Sequence, residues 1–249
     1  MASARALLLS GLLAVSAAGC ALPIIGAPAS PRDVERERAA DARDARARKP
    51  ASWGRADEDP DACAATLARQ GVAFDRLTPD AAHGVRMPVR LRGALGGIEV
   101  TATTRDRRST ATILDCRLAL ALLSWAPTLR RAGITRIEHY SMYRPNARVA
   151  GSHRESGHAH GLAIDAARFY LRDGTALDVL NDWEERDRGG APCPKRLEEA
   201  WPSRLLRGVV CDAVDHKLFQ IVITPHHDRA HGNHVHLERK PEVTWTYVR

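Results

Sequence analysis

The sequence predicts an α+β domain in which a small, mainly antiparallel sheet is covered by two helices. Two observations predict it. Residues 116–131 and 197–215 carry apolar residues at helical spacing, and short runs in the second half group or alternate apolar residues over strand length. In chain order, Asp61 is placed to cap a short helix through Gln70, ended by Gly71. Val72, Phe74 and Leu77 lead into a turn-rich stretch. Val89, Leu91, Ile98 and Val100 alternate around Gly96-Gly97, the pattern of a hairpin. Asp115 precedes the strongest helix, Cys116 to about Arg131, with Leu118, Leu122, Trp125 and Leu129 on one face. Pro127 inside it can kink it, and Gly133 stops it. Strands are expected over Arg136–Ser141 and Ala163–Leu171, the latter turned by Asp173-Gly174 into Ala176–Leu180. A helix over Leu197–Asp215 and strands over Leu218–Thr224 and His234–Arg239 complete the domain, and no internal repeat is visible.

With 249 residues, 44% hydrophobic and 27% charged, the chain can bury a real core. Collagen-like, coiled-coil and wholly disordered chains are excluded. So is a polytopic membrane protein, because no apolar run of spanning length follows the N-terminus. Thirty-seven basic less 30 acidic residues give a net charge of +7, a field that equally suits an anionic cell wall or membrane surface. Basic residues are interleaved with acidic ones, which argues against nucleic acid as a partner.

Residues 1–19 read as a secretory signal. Arg5 supplies the positive n-region, Leu7–Val15 the apolar h-region, and Ala17-Ala18-Gly19 small residues before Cys20. Small residues running into a cysteine resemble the bacterial lipobox, which implies that Cys20 is lipidated. By the same resemblance, Ala21 after Cys20 directs the protein to the outer membrane, on the periplasmic face of the cell envelope. Plain cleavage near Ala18, with secretion, and a buried N-terminal helix are the alternatives. Residues 20–61, with Pro23, Pro28 and Pro31 and then a charged stretch from Arg32 to Lys49 without an apolar stripe, read as a linker. The folded domain is expected over residues 62–249. Apart from Cys20, Cys63, Cys116, Cys193 and Cys211 remain, an even number in an exported chain, which suggests two disulfides. Three pairings are open; the expectation is one bridge in each half, Cys63–Cys116 and Cys193–Cys211. No CxxC pair is present, which disfavours a zinc site built of cysteines.

Nine of the 11 histidines fall between His153 and His236. They form two clusters, Ser156-Gly-His158-Ala-His160-Gly161-Leu-Ala163-Ile-Asp165 and His231-Gly-Asn233-His234-Val-His236. By chance the HxxHxH spacing is expected only about 0.02 times in this length. A turn leading into a strand can bring His158 and Asp165 together at one strand end. On a strand, His234 and His236 share a face and Val235 takes the other. Two such strands side by side place His158, Asp165 and His236 around one ion, with His234 beside it. Zinc suits imidazole and carboxylate ligands, with a fourth position left for water in a catalytic site. His83, His139 and His216 are read as structural or neutral. His226 and His227 are read as loop residues or partners of ligands, and His153 and His160 are left open.

SxHxxGxAxD followed by HxxHxH resembles the zinc superfamily of D-Ala-D-Ala metallopeptidases, lysostaphin-like endopeptidases and the hedgehog signalling domain. More closely, Cys63 to Glu238 resembles the bacterial extensin-like C-terminal family. Cys63 with Leu67 and Gly71-Val72-Ala73-Phe74, Cys116 with Leu122 and Trp125, Tyr143-Arg144, the two histidine clusters, and Cys211 with Phe219 carry that likeness. The resemblance implies a hedgehog-like fold, with His158, Asp165 and His236 as ligands of Zn2+. His234 is implied as an unligated histidine that stabilises the transition state, and His231 as a further site histidine. Arg144 is implied to hold a substrate carbonyl or carboxylate, and Ser156 to line the groove. It also implies peptidoglycan or muropeptides as partners. Several relatives carry Asp or Glu three residues before the last ligand, as general base; here Asn233 stands there, and an amide does not accept a proton near neutral pH. Either His231 or His234 serves as base, or the site binds without cleaving. Three readings follow: a zinc peptidase of the cell wall, a wall-binding module that keeps the zinc site, and a scaffold stapled by zinc and disulfides.

Overall fold

The structure, a computed structural model, describes residues 53–184, 192–193 and 200–249. The signal sequence, Cys20, most of the linker and the expected start of the last helix at Leu197 lie outside them. The fold is mixed α+β, as expected, but it has two sheets rather than one.

Packing begins before the expected boundary at residue 62. Ala56, in a 3-10 turn over Gly54–Asp57, is only 2% exposed, and Asp57 accepts a hydrogen bond from Arg239 at 3.3 Å. Helix α1 (Pro60–Arg69) is capped by Asp59, not Asp61. The Asp59 carboxylate accepts the backbone N–H of Asp61 and of Ala62. Pro60 at the first helical position has no N–H to satisfy and a φ already suited to a helix, so the helix starts earlier than the Asp61 cap would allow. Strands β1 (Phe74–Arg76) and β2 (Pro88–Leu91) follow, then β3 (Glu99–Ala102) and β4 (Ile113–Asp115).

The expected hairpin is only half realised. Leu95 and Ile98 exchange backbone hydrogen bonds across Gly96-Gly97, so the turn forms. The runs on either side of it part company. β2 lies between β1 and β4 in a three-stranded antiparallel sheet, whereas β3 runs parallel to the strand over residues 134–139 in the large sheet. Leu95 and Ile98 are buried in the main core, which anchors the turn between the sheets instead of leaving it as a free hairpin tip.

Helix α2 (Cys116–Arg131) is the centre of the molecule. Asp115 caps it as expected and also holds the Arg117 guanidinium at 2.8 and 2.9 Å. Leu118, Leu122, Trp125 and Leu129 are buried, and so are Ala119, Leu120 and Ala121. Trp125 meets Phe169 and Phe219 edge to face at 6.0 and 5.8 Å, and its indole N–H donates to the Val209 carbonyl. Such a buried aromatic cluster adds about 0.5–1.5 kcal/mol per pair beyond area burial.

The large sheet holds β5 (Ile134–His139), β6 (Ala163–Leu171), β7 (Ala176–Asp178), β8 (Ile221–Ile223), β9 (Val235–Glu238) and β10 (Tyr247–Val248), with β3. Its order is β10-β8-β9-β6-β5-β3, and β7 pairs with the far half of β6. The centre is antiparallel; the β3–β5 and β10–β8 pairs are parallel. The strand expected to reach Leu180 stops at Asp178, whose carboxylate caps a short helix, α3 (Val179–Asp182). Helix α4 is described over Trp201–Asp215. Disulfides Cys63–Cys116 and Cys193–Cys211 join α1 to α2 and α4 to the segment before it, the expected pairing.

Candidate metal centre

The centre is assembled from a short turn and two paired strands. Ser156 ends an extended segment, and its hydroxyl accepts the N–H of His158 at 3.4 Å, starting a 3-10 helix over Gly157–His160. Gly161 ends that turn at φ +62° and leads into β6. A Cβ at Gly161 would stand 2.9 Å from the Asp115 nitrogen, and Asp115 donates its N–H to the Gly161 carbonyl. The turn carrying His158 is thus strapped to the start of α2. Asp165 lies directly opposite His236 on β9. Val235 and Leu237 face the core, fully buried, while His236 and Glu238 share the other face.

His158 Nε2, His236 Nδ1 and Asp165 Oδ1 converge. The separations are 2.9 Å (His158–Asp165), 3.1 Å (His158–His236) and 3.1 Å (His236–Asp165). All three side chains are buried. Each has a second anchor. His158 Nδ1 lies 2.9 Å from the Met142 carbonyl, which can only accept, so that nitrogen carries the proton. His236 Nε2 lies 3.3 Å from Glu238 Oε2. The second oxygen of Asp165 accepts from Ser141 Oγ at 3.2 Å and lies 3.7 Å from the Arg144 guanidinium. With both imidazoles donating outward, three lone pairs face one another about the same point. Such an arrangement is repulsive unless a cation sits among them.

A proton can take the cation's place at this point. Burial disfavours a charged His236, but the Asp165 and Glu238 carboxylates beside it outweigh burial and push its pKa up to about 9. Burial likewise opposes a charged Asp165, yet His158 and His236 hold it far below the usual carboxylate range. A bound cation would displace the proton shared between His236 and Asp165. The donor set fits zinc: two imidazole nitrogens and one carboxylate oxygen, each imidazole tied down through its other nitrogen. Tetrahedral zinc bonds of about 2.0–2.2 Å would separate ligand atoms by roughly 3.3–3.6 Å, a small expansion of the distances found.

Glu238 has a second dependency. It also accepts the N–H of Gly157 at 3.3 Å. A Cβ on Gly157 would stand 2.4 Å from the Glu238 Cδ. Glycine at 157 therefore leaves the space through which Glu238 reaches His236.

The other expected site residues divide. His234 Nε2 lies 3.4 Å from Asp165 Oδ1, and its Nδ1 lies 2.8 Å from the Asn233 side-chain oxygen. Burial lowers its pKa to about 4, so it is neutral at pH 7. His231 packs its ring 5.2 Å from that of His234 and 6.2 Å from that of His236. Arg144 reaches the edge of the cluster with its side chain 54% exposed. Ser156 is 8% exposed, and its hydroxyl caps the turn. His160 is on that turn but pairs with Glu155 and the Gly84 carbonyl. His226 lies in the turn that follows β8, as expected, and is buried there with its Nε2 2.6 Å from the Arg207 guanidinium. His139 is buried and held neutral, its pKa lowered to about 4 by burial. Residues that the sequence reading passed over are Ser141, Glu238, Asp228 and Tyr140, whose ring lies edge-on to His234 at 5.9 Å. Only Glu238 had a signal, its two-residue step from His236 on one strand face.

A family model described as Extensin-like protein C-terminus matches residues 61–249. No curated protein and no solved structure matches the chain.

Proposed function

The chain belongs to the extensin-like C-terminal family, and from that premise we propose that it is an exported, zinc-dependent peptidase-like protein hydrolysing amide bonds of peptidoglycan peptides. The observation that carries this reading is the convergence of three lone pairs, from His158, Asp165 and His236, within 3.1 Å. The resemblance of SxHxxGxAxD and HxxHxH to the D-Ala-D-Ala metallopeptidases supports it from the sequence side. Zinc bound by these residues would supply Lewis acidity, polarising an amide carbonyl and lowering the pKa of water to about 7.

The chain's own residues would do the rest. His234 stands at the edge of the cluster with its Nδ1 proton facing the Asn233 oxygen, so its Nε2 would donate to an oxygen on which charge develops only once the ring has taken up a second proton. Arg144 offers a planar fork, half in solvent, suited to a substrate carboxylate. Glu238 and the Met142 carbonyl keep the two ligand imidazoles in fixed orientations. Export follows from residues 1–19, and lipidation of Cys20 would hold the domain at the periplasmic face of the outer membrane; a Cys20→Ser change should abolish incorporation of labelled fatty acid.

One observation favours a second reading. Asn233 bonds His234 and supplies no carboxylate, which suits a module that binds the wall through the same pocket without cleaving it. The deciding experiment is digestion of purified peptidoglycan by the zinc-loaded protein, read by mass spectrometry beside His158→Ala. New peptide fragments from the wild type alone are expected. Saturable muropeptide binding with no fragments would select the binding module instead.

A further inference from the structure

Next to the cluster lies a carboxylate that no ligand uses. Asp228 starts a 3-10 turn over Arg229–His231 and accepts the backbone N–H of His231 at 3.0 Å. The same oxygen lies 2.7 Å from His231 Nδ1. Its other oxygen lies 3.5 Å from His227 Nε2. Partial burial works against the charge of Asp228, but the ring and backbone of His231 outweigh it and hold the carboxyl below its usual range. It is therefore an ionised acceptor at neutral pH, and a charge-assisted hydrogen bond to it is the strong kind.

We propose that Asp228 is a positioning residue: by taking the Nδ1–H of His231 it fixes that ring's orientation and tautomer, leaving Nε2 bare, as the site's proton acceptor, on a ring centred 5.2 Å from that of His234 and 6.2 Å from that of His236. This rests on the peptidase reading above for its chemistry, though not for its geometry. Three placements argue for it. Position 233 carries an amide, already bonded to His234 Nδ1, so no carboxylate acts from there. The His231 ring is in the site, 5.2 Å from His234. Capping a three-residue turn needs only a bond to the backbone N–H, whereas Asp228 also reaches the ring. An Asp–His pair of this kind selects which imidazole nitrogen is free to accept a proton, and that choice is set by the hydrogen bond on the other nitrogen. In the hydrolysis, the proton leaving the attacking water would pass to His231 Nε2 and then to the departing amine, so the ring ends as it began.

The test compares Asp228→Ser with Asp228→Asn in the full chain loaded with zinc. Serine can still cap the turn but cannot reach the ring; asparagine keeps an acceptor of the same length. The first readout is the His231 tautomer, from 15N shifts of labelled histidine assigned through His231→Gln. The wild type and Asp228→Asn should show the Nδ1–H form, and Asp228→Ser a mixture. The second is peptidoglycan hydrolysis: Asp228→Ser should lower kcat at least about tenfold, within the roughly 10²–10⁴ a general base contributes. KM and zinc content should be unchanged, and adding His231→Ala should cost no more than His231→Ala alone. A wild-type tautomer and wild-type kcat in Asp228→Ser would overturn the proposal, as would independent, multiplying effects of the two changes. A wild type that binds zinc and releases no peptide would sink the peptidase reading, and with it the proton-accepting role; the tautomer would still decide whether Asp228 positions the ring.

Discussion

The ligand triad and the rim beside it are built on opposite plans. His158, Asp165 and His236 are buried, sit on a strapped turn and two paired strands, and are each held at a second atom by the protein. Arg144, His231 and Tyr140 stand on connecting segments; the Arg144 side chain is about half exposed and Tyr140 about a third. Preorganisation thus belongs to the half of the site that could hold a cation, and adaptability to the half that would meet substrate. Register explains the contrast. A ladder that pairs Asp165 with His236 fixes two ligands at once, because a slip of one residue would send both to opposite faces. Loop residues have no such constraint.

Four measurements break or sharpen this contrast, the largest effect first. His158→Ala should lower zinc affinity by roughly 10³-fold or more, measured by metal content after dialysis, because a buried three-ligand set cannot replace one member. Retention of stoichiometric zinc would remove the distinction between triad and rim. Chelation of the loaded protein should lower its stability by about 2.7 kcal/mol when free zinc had stood at about 100 times Kd, read as a fall in Tm. An unchanged Tm would mean that the triad does not take the ion. Glu238→Gln should weaken zinc binding about 10- to 100-fold, and Gly157→Ala should act in the same direction, since its Cβ would occupy the space of the Glu238 carboxylate. Titration with a competing chelator would resolve both. Arg144→Ala should leave zinc affinity within about fivefold, an exposed partner 3.7 Å from Asp165 being worth at most about 1 kcal/mol. A larger loss would place Arg144 with the triad.

The convergence of His158, Asp165 and His236 was legible because their spacing carries geometry. The alternation of Val235, His236, Leu237 and Glu238 puts apolar and polar side chains on opposite faces of a strand, and the seven-residue step from His158 to Asp165 fits a turn entering another. Helix α2 was legible for the same reason, its apolar period and its Asp115 cap both being local. The hairpin was misread because β2 and β3 have matching patterns and a proper turn, and pattern does not say which partners a strand will take. Asp59 was missed as a cap because the proline after it, rather than the acid within the helix, sets the start. Ser156 was expected at a substrate groove; in the structure its hydroxyl caps the turn that carries His158, a local role the serine–glycine–histidine spacing also allows.

By itself the sequence determined the α+β class, the central helix, the strands that carry Asp165 and His236, and the identity of the three converging side chains, since period and spacing are properties of the chain. The tertiary structure alone decided that β2 and β3 part into two sheets. It alone decided that Glu238 reaches His236 across the space left by Gly157, and that Asp228 takes the ring of His231. Those contacts join residues through space, over distances that no local pattern encodes, and they exist only once the core has fixed where each strand and turn must lie.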